Sequence, residues 1–291
     1  MGADIAAGRR SRTAQGLAAG AFLGPATCVV LVTMVAPLLL LARYSANRYS
    51  ATDLMIEAVT PENYLRFFTD TFYLGVMRTT IGVAVLSTLL CVLFGLPLAW
   101  RLARMAPRWK GVCMLGVILP LFIGSTVRTV GWMILLARGG LMDIATTRLF
   151  ATRLDLMFTP TAVIVGIVSF NLPYLVLTMQ SVFDRVDVQL EQAAQALGAP
   201  PVRAFWRVVW PLVLPGVAIA AVMCFILSMN AYATPVLLGG PRFQMMAPLL
   251  YWEFGTNNNW PFAAALAFIL MGTTLLLTVF ANMLIPRRYR A

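Results

Sequence analysis

Few side chains in this chain are able to carry out chemistry, and what is missing narrows the field. Its 291 residues include no histidine, which removes imidazole acid–base catalysis and every metal motif built on histidine. Cys28, Cys91, Cys113 and Cys224 all lie in apolar runs without CxxC spacing. They are expected to be buried thiols, neither ligands nor disulfides. No GxxxxGK[ST] phosphate loop occurs, so the chain is not expected to bind or hydrolyse ATP itself. No catalytic residue, metal or cofactor is expected. What remains is polar chemistry inside apolar stretches. Arg78 and Arg128 fall within such stretches, where a mid-membrane arginine costs about 2.5–3.5 kcal/mol on insertion scales. Arg78 is close enough to Tyr73 to snorkel outward. Arg128 lies deeper, which points to an inward role in gating or packing, and its charge argues against contact with a cationic solute. Ser125, Thr126, Ser169, Asn171, Thr178, Gln180, Ser228 and Asn230 recur at mid-span or near span ends. Singly, each fits a hydrogen bond between helices; as a set, they suit a polar path, with Pro173, Pro215 and Pro235 freeing backbone carbonyls beside them. Glu253, flanked by Tyr251 and Trp252, joins a carboxylate to aromatic faces and suits an ammonium group. An interfacial aromatic belt explains the two rings equally well. The candidate path residues are therefore Arg128, Ser169, Asn171, Ser228, Asn230 and Glu253.

The elements that must position these groups are membrane helices. The chain is 60% hydrophobic and 11% charged, with a mean hydropathy of +0.82. A soluble domain sits near a quarter charged, so an all-α polytopic membrane protein is predicted. Six stretches are long enough to cross a hydrocarbon layer of about 30 Å, near residues 20–42, 73–100, 111–137, 159–181, 212–232 and 262–285. Tyr73, Trp100, Trp109 and Trp260 mark their edges. Arg9, Arg10 and Arg12 precede the first stretch, which is too long for a signal core and reads as an uncleaved span. The layout predicted is a tail at 1–19, a six-helix domain at 20–285 and a second tail at 286–291.

The net charge of +11 belongs to the loops and termini rather than to a nucleic-acid face. One side, holding both termini and the loops 101–110 and 182–211, carries thirteen Arg and Lys against four acids. The other side carries seven of each. The basic side is expected to be cytoplasmic. On the opposite side, the 43–72 loop has a helix start at Thr60-Pro61-Glu62. It reads either as a receiver for a soluble protein or as a helix lying on the membrane surface.

One polar interlude, Asp184 to Pro215, interrupts the apolar pattern on the basic side. Val188 to Leu197 places Leu190, Ala193, Ala194 and Leu197 on one helical face. Gly198 suits a left-handed helix end, and Pro200 and Pro201 forbid continuation. A second short amphipathic piece, Ala204 to Trp210, leads to Pro211. Helix, turn and helix form a knob shaped to be held by another protein.

On these residues the chain resembles the inner-membrane permeases of binding-protein-dependent ABC importers. Their cytoplasmic signature is Glu-Ala-Ala, three residues, Gly, nine residues, then Ile-x-Leu-Pro. Here Gln192, Ala193 and Ala194 fill the triplet, Gly198 falls at the right distance, and Val208-Val209-Trp210-Pro211 follow. Gln replaces Glu (with Glu191 one place earlier), Val replaces Ile, and Trp replaces Leu. Leu119–Asp143, Asn230–Pro241 and the run from Asn257 are similar to spermidine/putrescine-type permeases of that family. The resemblance implies a type I importer architecture in a bacterial inner membrane, crossed several times with both termini cytoplasmic. It implies a subunit forming half of a pore that moves a small, polyamine-like solute by alternating access. Implied partners are cytoplasmic ABC ATPase subunits, a second permease, a solute-binding protein and the lipid bilayer, with no nucleic acid. The implied ATPase-coupling residues are Leu190, Glu191, Gln192, Ala193, Ala194, Leu197, Gly198 and Pro211. An ATPase-independent channel or secondary carrier is the alternative, and the Gly198 knob argues against it. A membrane-embedded enzyme comes last, for want of histidine and of clustered intramembrane carboxylates.

Overall fold

The computed structural model describes residues 24–25, 27–50, 52, 54–150 and 155–284. The basic tails at 1–19 and 286–291 lie outside them. Five helices are long and apolar enough to cross a membrane, and a sixth crossing exists if one sharply bent pair counts as a single span. The first, α1 (Thr27–Ser45), stands at the margin, with Leu31, Met34 and Leu39 exposed. A short antiparallel hairpin, β1 (Arg48–Ser50) with β2 (Leu54–Ile56), leads to α2 (Glu62–Thr69). The expected helix start at Pro61 is present. Yet α2 is no free surface helix, because Phe67 is buried against Tyr73 and the start of the last span.

The bundle is built on α3 (Thr71–Ala103), α7 (Pro160–Asp184) and α10 (Trp210–Met229), each packed against the other two. Asp70 starts α3 by accepting the Phe72 N–H at 2.8 Å. Thr159 caps α7 through the Ala162 N–H, with Pro160 in the first turn, where its missing donor costs nothing. The helices approach closely at glycines. A Cβ on Gly95 would lie 2.5 Å from Leu175, and one on Gly216 would lie 2.5 Å from Val182. With lipid outside as apolar as the core, such close packing is what holds membrane helices together.

One sequence expectation needs correction and another needs refining. The stretch 111–137 is not one continuous helix. It runs as α4 (Pro107–Ile118), a 3-10 turn at Leu119–Phe122, then α5 (Ser125–Leu136), followed by α6 (Leu141–Phe150), with a 99° bend at the break. Pro120 cannot donate to the ladder, Ile123 is extended and Gly124 precedes the restart, so hydropathy alone does not reveal the corner. Tyr73 does lie at the start of α3, but it faces protein rather than the outside. It is 5% exposed, covered by Phe67 and by Phe262, whose ring centroid lies 4.9 Å away.

On the basic side, α8 (Val188–Ala196) and α9 (Pro201–Ala204) join a π-helical turn at Phe205–Val209 that runs into α10. Trp210 N–H bonds back to Phe205 O, five residues away, and this register shift brings the chain to Pro211 without a break. On the other side, the loop after α10 folds into α11 (Ala233–Leu238) and α12 (Met246–Gly255) before the final span α13 (Trp260–Leu284).

Candidate coupling knob and translocation path

The knob begins where Asp187 accepts the Gln189 N–H at 2.9 Å and starts α8. It ends at Gly198 with φ +88°. There Ala199 N–H bonds to Ala194 O at 3.1 Å and Gly198 N–H to Gln195 O at 2.9 Å, the paired bonds of a Schellman stop. Nothing lies within 4 Å of where a Gly198 side chain would begin. Glycine is needed here for its backbone conformation, not for space.

The predicted apolar face is outward and uncovered in this chain. Leu197 is 90% exposed and Leu190 48%, with Val188 and then Val202 and Trp206 beside them. Ala193 and Gln192 are exposed, and Ala194 and Pro211 partly so. Glu191 is the exception among the coupling candidates. It is 7% exposed and turned into the body, where Oε2 accepts from Arg104 Nε at 3.2 Å. Arg104 Nη1 also reaches Val186 O at 3.4 Å. A second pair, Lys110 Nζ to Asp184 Oδ1 at 2.8 Å, fastens the other end of the knob's base. Both cations come from the 101–110 segment, so that segment and the knob share one side of the bundle, as the charge count expected. Sequence reasoning missed Arg104, Lys110 and Asp184 as a set. The signal was available as opposite charges on two loops assigned to the same side.

The candidate path residues do not form one cluster. Asn171 on α7 and Ser228 on α10 are buried and bonded to each other, Nδ2 to Oγ, at 2.7 Å. Asn171 Nδ2 also reaches Cys224 O at 3.3 Å, which leaves Oδ1 buried without a partner. Ser169 turns back on its own helix, to Gly166 O at 2.7 Å. Asn230 is exposed at the end of α10 and lines a cavity of about 280 Å³ with Ser125, Thr126, Phe170 and Asn171. Arg128 is partly exposed and meets no carboxylate among the described residues. Its Nη2 donates to Pro120 O and Ile123 O, and its guanidinium lies 5.1 Å from the Phe170 ring centroid. It thus binds carbonyls at the corner between α4 and α5. Arg78 is exposed.

Glu253 departs from expectation. Tyr251 and Trp252 are 60% and 57% exposed, whereas Glu253 is 7% exposed and accepts from Asn257 Nδ2 at 3.1 Å. Successive helix residues point about 100° apart, so the carboxylate and the two rings serve different faces of α12. The free cysteines include a buried Cys91 and Cys224, but Cys28 is exposed on α1 and Cys113 partly so. Among the described residues, no group of three or more potential metal ligands occurs.

Residues 55–290 match the family described as binding-protein-dependent transport system inner membrane component. The spermidine/putrescine transport system permease protein PotB of Escherichia coli is 30% identical over 234 residues, covering 79% of this chain and 85% of that protein. The molybdenum transport system permease protein ModB of Azotobacter vinelandii is 32% identical over 167 residues, covering 57% and 73%. Among solved structures, a chain of the bacterial alginate ABC transporter, in complex with alginate pentasaccharide-bound periplasmic protein, superimposes with a TM-score of 0.80. It is 15% identical and the match covers 97% of this chain and 98% of that one. The apolar bundle, the Gly198 knob and these matches agree: the chain belongs to the binding-protein-dependent transport system inner membrane component family, as a permease subunit of an ABC importer.

Proposed function

We propose that this chain forms half of a pore that carries a polyamine-like solute inward by alternating access, with α8 as the seat of a cytoplasmic ATPase. The observation that carries this reading is the knob itself: an apolar face open to the outside, on a base clamped by two ion pairs to the 101–110 segment. A face of that kind transmits force when held, because its base cannot slip. ATP-driven closure of the ATPases moves α8, and α7 and α10, continuous with the knob on either side, swing with it. A second permease completes the pore, and a solute-binding protein delivers cargo to the side holding α11 and α12. Both tails, 1–19 and 286–291, lie in the cytoplasm in this arrangement, on either side of the 20–285 domain. The charge asymmetry of the loops supports that orientation. A polyamine-like solute is supported by the 30% identity to PotB proteins.

The test is gentle co-purification of the tagged chain from its native membrane, followed by mass spectrometry and uptake of labelled spermidine by the reconstituted complex. Recovery of an ATPase and a second permease, with ATP-dependent uptake, is the expected result. Recovery of the chain alone, under conditions that preserve a known importer, favours a self-contained carrier and overturns the reading.

A further inference from the structure

Arg78 carries a charge that the bundle leaves unanswered. It sits on α3 seven residues past Thr71, about 10 Å from the helix end remote from Arg104 and the knob. The residue is exposed, and no side chain or carbonyl among the described residues pairs with it. Tyr73 offers no partner, because it turns into α2 and α13 on another face of the helix. At about 100° per residue, Arg78 shares one arc of roughly 100° with Gly82, Val85, Leu86, Leu89 and Leu93. The four apolar members of that arc are all exposed. Gly82 is exposed too, with nothing within 4 Å of where its Cβ would stand, so a ligand lying along this face runs close to the backbone.

The arc leads into an apolar groove of about 290 Å³ between α3, α10 and α13. Val85 and Leu89 line it from α3 and Phe225 from α10, while Ala218, Ala221 and Ala281 keep it open. Thr88, its one polar lining residue among those described, already donates to Ala84 O at 2.7 Å. Val85 lies about 10 Å and Leu89 about 16 Å deeper than Arg78 along the helix, close to the ~15 Å hydrocarbon depth of one leaflet. The charge and the groove are spaced as the two ends of a lipid are.

We propose that this face holds a phospholipid of the leaflet opposite the knob, with its phosphate on Arg78 and the distal half of one acyl chain in the groove. A guanidinium reaching outward from the hydrocarbon meets the phosphate layer, and phosphate oxygens suit its paired donors. The groove fits a chain rather than a helix. A helix is about 10 Å across with its side chains, whereas an alanine-lined space between three spans admits a string of methylenes. Seated there, the lipid rests against α10, the span continuous with the knob.

The test uses the purified membrane complex, delipidated in detergent and titrated with phosphatidylglycerol that carries a diazirine near the end of one acyl chain. Light-driven labelling of residues 85–89 and 218–225 should saturate, and should exceed labelling of the exposed α1. Arg78→Gln should raise the half-saturating lipid concentration at least ~10-fold, while Arg78→Lys should stay within ~3-fold of the parent. Arg78 is exposed, so the fold should survive either change. Ala281→Trp, at the exposed rim, should abolish groove labelling with Arg78 in place. Equal saturation in Arg78→Gln, or equal labelling by a diacylglycerol with the same chain and no phosphate, overturns the headgroup site. Groove labelling no greater than that of α1 overturns the acyl seat. A photoreactive residue at Leu89 that crosslinks to another polypeptide in native membranes, instead of to lipid, makes the groove a subunit seam and overturns the lipid as its occupant.

Discussion

Replacing Glu191 with alanine should loosen the knob without unfolding the membrane bundle. The side chains of Arg104 and Glu191 are 17% and 9% exposed, and Arg104 otherwise holds only the Val186 carbonyl, at 3.4 Å. Removing one partner of a buried pair costs about 3–5 kcal/mol, much of it from the charge left behind. The residual exposure here places the expected cost near the lower figure, roughly 3 kcal/mol or about a hundredfold in the ratio of seated to loosened knob. The assay is hydrogen exchange at the amides of residues 188–199 in the purified complex, alongside solute uptake and ATPase activity. Faster exchange confined to the knob, with ATP hydrolysis partly freed from solute transport, is expected. Glu191→Gln should fall between, because it keeps a hydrogen bond while losing the charge. The double change Arg104→Glu with Glu191→Arg should recover part of the loss. Unaltered exchange and full uptake in Glu191→Ala would refute the claim that this pair holds the knob.

Three further changes probe separate parts of the molecule. Gly198→Val should abolish coupled uptake at normal membrane levels, since a β-branched residue at φ +88° is strained by about 1–3 kcal/mol, whereas Gly198→Asn should retain most of it; uptake per unit of inserted protein measures this. Arg128→Ala should lower the melting temperature in detergent, because the α4–α5 corner loses the charged donor to Ile123 O and leaves Pro120 O with the Ile123 N–H alone, at about 1.5–3 kcal/mol for a hydrogen bond to a charged group, and Arg128→Lys should restore part of the loss. Asn171→Leu and Ser228→Ala should each destabilise the α7–α10 contact by roughly 0.6–1.7 kcal/mol, and the double variant by less than the sum, as read by thermal unfolding.

The sequence carried the knob well because three local rules agreed there. Apolar spacing set the face of α8, Gly198 its stop, and Pro200 and Pro201 barred its continuation, each a rule of local chain geometry, whereas the Asp187 cap that starts the helix emerged only in the structure. Five spans were legible for a similar reason, since an apolar stretch of sufficient length has few other stable states in a bilayer. The corner after Ile118 was not legible: Pro120 signals a kink, but the contacts at the corner, Arg128 on the Pro120 carbonyl and over the Phe170 ring of another span, are tertiary. Depth of burial was also hidden. Tyr73 stands at the end of its span as its position suggested, yet α2 and α13 cover it, and Glu253 looked like a partner of Tyr251 and Trp252 until the helix turned it inward. Asn171 and Ser228 read as path residues by polarity, yet meet each other across a helix interface that only the tertiary packing creates.

Whether α8 seats an ATPase is open to crosslinking in the membrane. A photoreactive amino acid at Leu197, which is 90% exposed, would be activated in native membranes, with a second chain carrying it at Glu191, which is 7% exposed, as the control. An adduct with a cytoplasmic ATPase is expected from position 197 and none from position 191. No ATPase adduct from position 197, in membranes where uptake is intact, would contradict it.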